Sequence, residues 1–393
     1  MEPLSIDGRA TLLPWVTLPY PVTIDEFTFR PVHIQALGEL VHDTVAQRLA
    51  AIISAHVDQR GVPLQQCTLL IREGAAEPWN VELDAAAQGA TRILAIACLS
   101  EQRLMARFFP HLNATMFRLE SFAISSRHEH LALHYPRRGG SLLVGGYRFG
   151  QVMFQQPFQI EATSCERVNE ALACAISDAE TQAPEIAERI HTALEVFLLG
   201  HSETPDLATS TCVMLSAIAF EKLLGPFPGK QVALLLADAV TKLWAPYADR
   251  SIAQSRTVRR DPAFPDQLQW PVHKKWAKEL YEARSASVHA GAKTKFSVNW
   301  DLGQHMVASA YAFPLLIKLL LCEAGTYELQ DDDISDCQVF DHLLDSDWGN
   351  GADNEPEWDS IVVSGRQRVG IRTTIQRIML RVKLDATETD DAE

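Results

Sequence analysis

Two side chains suited to phosphodiester chemistry stand close together in the segment LYEARSASVHAGAKT, residues 280–294. Arg284 carries a guanidinium that stays charged at neutral pH and matches the geometry of phosphate oxygens. His289 follows five positions later and carries an imidazole that can accept or donate a proton near pH 7. These groups fit RNA cleavage, in which the 2'-hydroxyl loses a proton and the leaving 5'-oxygen gains one. Ser285 is a third candidate, either as a hydrogen-bond donor to the phosphate or as the residue that orients His289.

The spacing of this pair is by itself a weak signal. In a chain of 393 residues with 13 histidines, chance supplies roughly two cases of an Arg followed by a His after four to six residues. Arg127 and His134 form another such case within RHEHLALHY, whose pattern is that of a strand between turns, so a structural role is expected there. Arg284 and His289 have a different context. A helix is predicted to begin near Pro271 and to stop at Gly291.

The predicted helix limits how the two groups can meet. Five residues on a straight helix rotate by about 140°, so Arg284 and His289 would lie on different faces. Either the helix ends near Ser287, or a second copy of the chain across a twofold axis brings the groups together. Both arrangements are open at this level.

A basic region surrounds the pair. Residues 250–295 contain ten Arg or Lys and four Asp or Glu, a balance of +6 in a chain of net charge −15. The overall charge argues against a general nucleic-acid binder, whereas a local patch can still meet a polyanion. The lysines expected to contact an RNA backbone are Lys274, Lys275, Lys278, Lys293 and Lys295. A solvated helix face is the alternative for these lysines.

The other candidates also have structural interpretations. Arg284 can pair with Glu221 or Glu282 and tie helices together, and His289 can cap its helix. Glu221 is then either an interhelical ion-pair partner or the residue that positions Arg284. Three aromatic residues are more typical of a core than of base stacking: Trp270, Trp276 and Tyr281.

The elements that must position these residues predict an α+β fold. Residues 1–160 contain the helix-like stretch QALGELVHDTVAQRLAAIISAHV and several strand-like stretches, among them FTFRPV, CTLLIRE, WNVELD, HLALHY and SLLVGGYRF. They indicate an antiparallel-rich α+β domain that senses or docks. Residues 161–325 contain six successive helical blocks, which predict an all-α bundle. Residues 326–393 are acidic and loop-like, with a short docking segment, IRTTIQRIMLRVKL.

Several features point to a cytoplasmic protein without a membrane span. The most apolar run, YAFPLLIKLLLC, contains Lys318 and is too short to cross a bilayer, so a buried helix is expected. The N-terminus lacks the basic and apolar regions of a secretory signal. The seven cysteines are scattered without a CxxC pair, as in a reduced compartment. No metal site or cofactor is predicted.

Two segments resemble a known family. LYEARSASVHAG resembles the Arg-x4-6-His motif of HEPN domains, and most closely that of the Apea-like HEPN group. CVMLSAIAFEKLLG, residues 212–225, is similar to the preceding helix of that group, with Glu221 ahead of an aliphatic pair. The likeness covers about residues 185–325. One departure is Ser285, where catalytic members often have Asn, Asp or His.

The resemblance implies a HEPN-like bundle acting as a metal-independent endoribonuclease on single-stranded RNA. Arg284, His289 and Ser285 would be catalytic, Glu221 and Tyr281 supporting, and the products would carry 2',3'-cyclic phosphates. It further implies a homodimer and a role in phage defence or as a toxin, with the N-terminal domain meeting a protein partner or trigger. The alternative is a non-catalytic HEPN-like module that binds a nucleotide or partner, or that dimerises.

Overall fold

The computed structural model describes residues 8–72, 79–101, 113–124, 130–137, 140–148, 150–157, 167–202, 204, 206–248, 269–289 and 299–345. Within these ranges, an antiparallel sheet dominates the N-terminal part and α-helices form most of the rest. The predicted α+β class is confirmed at this level.

The strands of the described residues are β1 (Arg9–Leu13), β2 (Val22–Ile24), β3 (Phe27–His33), β4 (His56–Val57), β5 (Gln66–Arg72), β6 (Glu120–Ala123), β7 (His130–Arg137), β8 (Gly140–Arg148) and β9 (Phe154–Gln155). Seven of these strands form one sheet in the order β2-β3-β5-β1-β6-β7-β8, with antiparallel pairing throughout. The short strands β4 and β9 pair with each other in parallel.

The helices of the described residues are α1 (Leu37–Leu40), α2 (Asp43–Ala55), α3 (Val81–Leu99), α4 (Glu170–Gln182), α5 (Pro184–Gly200), α6 (Thr209–Leu224), α7 (Val232–Trp244), α8 (Val272–His289), α9 (Leu302–Ala324) and α10 (Asp331–Asp345). The six helical blocks predicted after residue 161 correspond to α4 through α9, so these predictions are confirmed. The described ranges also contain two short 3₁₀ turns, Ile34–Ala36 and Ala114–Phe117.

The central strand β1 is buried on both faces. Successive side chains of a strand point to opposite sides, so neighbours Leu12 and Leu13 of β1 enter different cores. Leu12 packs in a cluster with Leu49 of α2. Leu13 belongs to a second cluster, which includes Ile93 of α3 and continues through the helices as far as Leu344 of α10. This cluster contains described residues from both sides of the predicted domain boundary at residue 160, and the boundary stays a prediction.

Two N-terminal predictions are wrong in detail. The stretch predicted as one helix is divided into α1 and α2, because Val41 adopts an extended conformation between them. WNVELD, predicted as a strand, forms the beginning of α3. The side chain of Asn80 accepts a hydrogen bond from the backbone N–H of Leu83 at 2.8 Å, which satisfies an otherwise unpaired donor at the helix start.

α9 is the central helix of the helical part. Asp301 and Gln304 form a capping box at its start, and Gly325 ends it in the left-handed conformation with φ of 80°. By length and composition it is the one helix of the described ranges that could cross a membrane, but 94% of its most apolar 18-residue window is buried inside the protein. The expectation of a buried helix around Lys318 is confirmed.

The prediction of a loop-like acidic segment after residue 326 is wrong for residues 331–345, which form α10. Its apolar side chains Cys337, Val339, Phe340 and Leu344 are buried in the main core. The indole of Trp244 donates a hydrogen bond to the carbonyl oxygen of Cys337 at 3.1 Å. Residues 331–345 are therefore an integral helix of the bundle, whereas the predicted docking segment at residues 371–384 lies outside the described residues.

Candidate active site

The candidate site lies on α8, which packs against α6, α7 and α10. Trp276 and Leu280 of α8 are completely buried, and the ring of Trp276 contacts Phe220 of α6 and Phe340 of α10. This core face fixes how α8 is rotated. Arg284 and Ser285, on the following turn, remain half-buried rather than enclosed.

Arg284 is held by two side chains. Its Nη1 donates a hydrogen bond to the hydroxyl oxygen of Tyr281 at 2.6 Å, and its Cζ lies 4.9 Å from the centre of the Tyr281 ring. Its Nη2 lies 3.5 Å from Oε2 of Glu221 on α6, and the two side chains are each 29% exposed. The Nε atom is buried and has no hydrogen-bond partner among the described residues. Of the two acids considered as partners, the structure therefore selects Glu221.

Tyr281 contributes a neutral group to this cluster. Burial raises the pKa of the Tyr281 phenol, and the charge of Glu221 raises it further, while the charge of Arg284 partly opposes both effects. The phenol is consequently protonated at neutral pH. It accepts a hydrogen bond from the guanidinium through its oxygen, and its own proton is available to an acceptor.

The structure places residue 289 on the same helix as Arg284. α8 continues to His289, in agreement with the predicted helix stop at Gly291, so the alternative in which the helix ends near Ser287 is not observed. Positions 284 and 289 are therefore about 140° apart around one helix axis. The side chain of His289 lies outside the described residues. Ser285 is half-buried, and no hydrogen bond of the described residues links it to Arg284.

The predicted lysine patch is only partly on the surface. Lys275 and Lys278 are only 1% and 2% exposed. The prediction that these two lysines contact an RNA backbone is therefore wrong, because both are buried. Lys278 donates a hydrogen bond to Glu282 at 2.6 Å. Lys274 is paired with Asp238 of α7 at 2.6 Å and lies 4.4 Å from the ring centre of Trp270. Lys293 and Lys295 lie outside the described residues.

The three aromatic residues singled out in the sequence also differ in burial. Trp276 and Tyr281 are buried, which confirms the core interpretation for these two residues and leaves no face of Trp276 free for a base. Trp270, at the start of the α8 region, is half-buried and carries Lys274 over its ring. The alternative Arg–His pair is not seen as a pair: His134 lies in β7, and Arg127 lies outside the described residues.

Glu279 is a structurally important residue that the sequence did not single out. Its carboxylate accepts hydrogen bonds from the backbone N–H groups of Asn299 and Trp300, at 2.9 and 3.0 Å, and from the Asn299 side chain at 2.7 Å. Burial alone would raise its pKa, but His305 and these backbone N–H groups outweigh burial and hold the pKa below its usual range. Glu279 thus ties α8 to the start of α9.

A buried His–Asp pair was also missed. Nδ1 of His273, in the first turn of α8, lies 2.8 Å from Oδ1 of Asp341 in α10. The Nε2 atom of His273 has no hydrogen-bond partner among the described residues. Sequence analysis placed Asp341 in an acidic, loop-like segment, and the acidic composition of that segment was the only sign that it could supply a partner for a buried base.

The chain was compared with protein-family models, with curated proteins and with solved structures, and none of them matches it.

Proposed function

We propose that the helical part of the chain is a HEPN-like bundle that cleaves single-stranded RNA without a metal ion. Arg284 and His289 would be the catalytic residues. The setting of Arg284 is the observation that carries this proposal. Its guanidinium is oriented by the hydrogen bond to Tyr281 and lies beside Glu221, and its side chain is 29% exposed near the end of α8. A preorganised cation that reaches solvent is suited to a phosphate whose charge grows during reaction.

The proposed reaction needs no cofactor. The 2'-oxygen attacks the adjacent phosphorus, its proton passes to a base, and the bond between phosphorus and the 5'-oxygen breaks as that oxygen gains a proton. The products are a 2',3'-cyclic phosphate and a 5'-hydroxyl. His289 supplies the base or the acid, because the ordinary imidazole pKa of about 6.5 suits both roles. Arg284 stabilises the negative charge of the phosphorane.

A homodimer completes this proposal. Positions 284 and 289 are about 140° apart on a continuous helix, so one copy of α8 does not turn them towards the same point. A twofold axis beside α8 would let two Arg284–His289 pairs face one cleft. The N-terminal part would then restrain or aim the nuclease in response to a partner, as suits a phage-defence protein or toxin in the cytoplasm.

A second candidate function is favoured by the same contacts. Because Arg284 is already engaged by Tyr281 and Glu221, it can serve as a tie between α6 and α8 in a non-catalytic module for nucleotide binding, partner binding or dimerisation. In that case Arg284→Ala and His289→Ala would change the thermal stability or the dimer rather than any RNA-cutting activity.

The test is incubation of the purified protein with mixed cellular RNA in EDTA, followed by end-group analysis. We expect wild type to leave 2',3'-cyclic phosphates and His289→Ala to lose at least about 100-fold in rate. His191→Ala is the matched control, because His191 is a partly exposed histidine of α5 paired with Glu180. Equal thermal unfolding of the variants excludes misfolding. Unchanged cleavage by His289→Ala would contradict the proposed function.

A further inference from the structure

The two contacts of Arg284 differ in strength. The distance of 2.6 Å from Nη1 to the Tyr281 oxygen is that of a strong hydrogen bond. The distance of 3.5 Å from Nη2 to Glu221 is longer than an ordinary hydrogen bond and describes a loose ion pair. Tyr281 therefore sets the position of the guanidinium, while Glu221 mainly neutralises it.

The loose contact is also the accessible one. Glu221 and Arg284 are each 29% exposed, whereas Tyr281 is only 9% exposed. An ion pair with this degree of exposure contributes little to stability, because water screens it. A phosphate oxygen can form a shorter, charge-assisted hydrogen bond to the same guanidinium. A carboxylate held at 3.5 Å is thus a weak ligand of Arg284, which an RNA phosphate could displace.

We propose that Glu221 is a built-in competitor of the substrate, occupying the Nη2 side of Arg284 until an RNA phosphate displaces it. This inference rests on the proposed function, since it takes Arg284 as the phosphate-binding group. It implies that the free protein holds its cationic group neutralised and that binding an RNA phosphate requires the Glu221 carboxylate to move away. Tyr281 keeps its hydrogen bond to Arg284 in both states and acts as a positioning residue.

The experiment measures binding without cleavage. The probe is a fluorescent single-stranded RNA oligonucleotide that is fully 2'-O-methylated, so that no 2'-hydroxyl can react, and the readout is fluorescence anisotropy. Glu221→Gln keeps the shape of the side chain and removes its charge. Glu195→Gln is the matched control, because Glu195 forms a comparably loose ion pair with Arg92, at 3.7 Å, between α5 and α3. Arg284→Ala reports whether the guanidinium binds the probe.

We expect Glu221→Gln to lower the Kd by about fivefold, which corresponds to the upper end of the free energy of an exposed ion pair. Glu195→Gln should leave the Kd unchanged. Arg284→Ala should raise the Kd. If Glu221→Gln raises or does not change the Kd while Arg284→Ala raises it, Glu221 is no competitor, and the proposed function still stands. If both glutamine variants tighten binding equally, a general charge effect replaces this inference. If Arg284→Ala binds like wild type, the inference and the proposed function both fail.

Discussion

Nδ1 of His273 lies 2.8 Å from Oδ1 of Asp341, with the two side chains only 1% and 2% exposed. This contact joins the first turn of α8 to the acidic helix α10. The helix that carries Arg284 is therefore held at its N-terminal end by a residue from the segment that was predicted to be acidic and loop-like. Breaking a buried polar pair of this kind destabilises the folded protein, because the remaining group stays buried without a hydrogen-bond partner.

Asp341→Ala tests this connection. The substitution leaves His273 buried without its partner, so we expect the free energy of unfolding to fall by about 3 kcal/mol. Urea denaturation monitored by circular dichroism measures it. Asp332→Ala, at an exposed position of α10, serves as control and should cost less than about 1 kcal/mol. An equal loss in both variants would show that the pair does not hold α10 in place.

Glu279→Gln tests the link between α8 and α9. The folded protein lowers the pKa of Glu279 below its usual value of 4.5, so the ionised carboxylate favours the folded state. Its contribution is fully present above pH 4.5 and is lost as the pH falls through the lower pKa of the folded protein. We expect Glu279→Gln to cost about 1–3 kcal/mol at pH 7 and the gap to wild type to narrow in acid.

Urea denaturation of wild type and Glu279→Gln in steps from pH 7 to pH 3 measures this gap. Glu188→Gln is the control, because Glu188 lies at an exposed position of α5, and it should change stability by less than about 1 kcal/mol. A Glu279→Gln gap that stays constant through the acid range would refute the role of the ionised carboxylate.

A pair of glycine substitutions tests the packing of α5 against α6. A Cβ at Gly200 would lie 3.0 Å from Cβ of Leu215 and 3.2 Å from the carbonyl oxygen of Cys212. Gly200→Ala should therefore force the helices apart and cost about 1–3 kcal/mol. A Cβ at Gly89 in α3 would meet nothing within 4 Å, so Gly89→Ala should stabilise by about 0.5–1 kcal/mol. Differential scanning calorimetry distinguishes these outcomes, and a stabilising Gly200→Ala would show that the helices can separate freely.

The helices of the C-terminal part were accessible to sequence reasoning because their signals are local. α5 begins at Pro184 and ends at Gly200, the residues that mark the predicted block. α3 was missed although Asn80 offered a capping signal, because WNVELD also alternates like a strand. A local pattern of this kind fits both a helix and a strand, and packing against the rest of the protein decides which of the two forms.

The candidate site was predictable in its residue types and not in its partners. The sequence offered Glu221 and Glu282 as partners of Arg284, and the fold pairs Arg284 with Glu221 while Glu282 takes Lys278. Helical spacing alone could not tell which lysines of α8 face outward. Lys275 and Lys278 are buried because Trp276 and Leu280 set the rotation of the helix, and α10 covers part of the surface that remains.

By itself the sequence determined the α+β class, the order of helices α4 to α9 and the presence of Arg284 and His289 near the end of one helix, since these depend on residues close in the chain. Tertiary structure alone decided that α10 belongs to the core, that His273 meets Asp341 and that Arg284 rests between Tyr281 and Glu221. The physical reason is that burial and pairing of charges depend on which distant surfaces come together, and a buried Asp and an exposed one are the same letter in the chain.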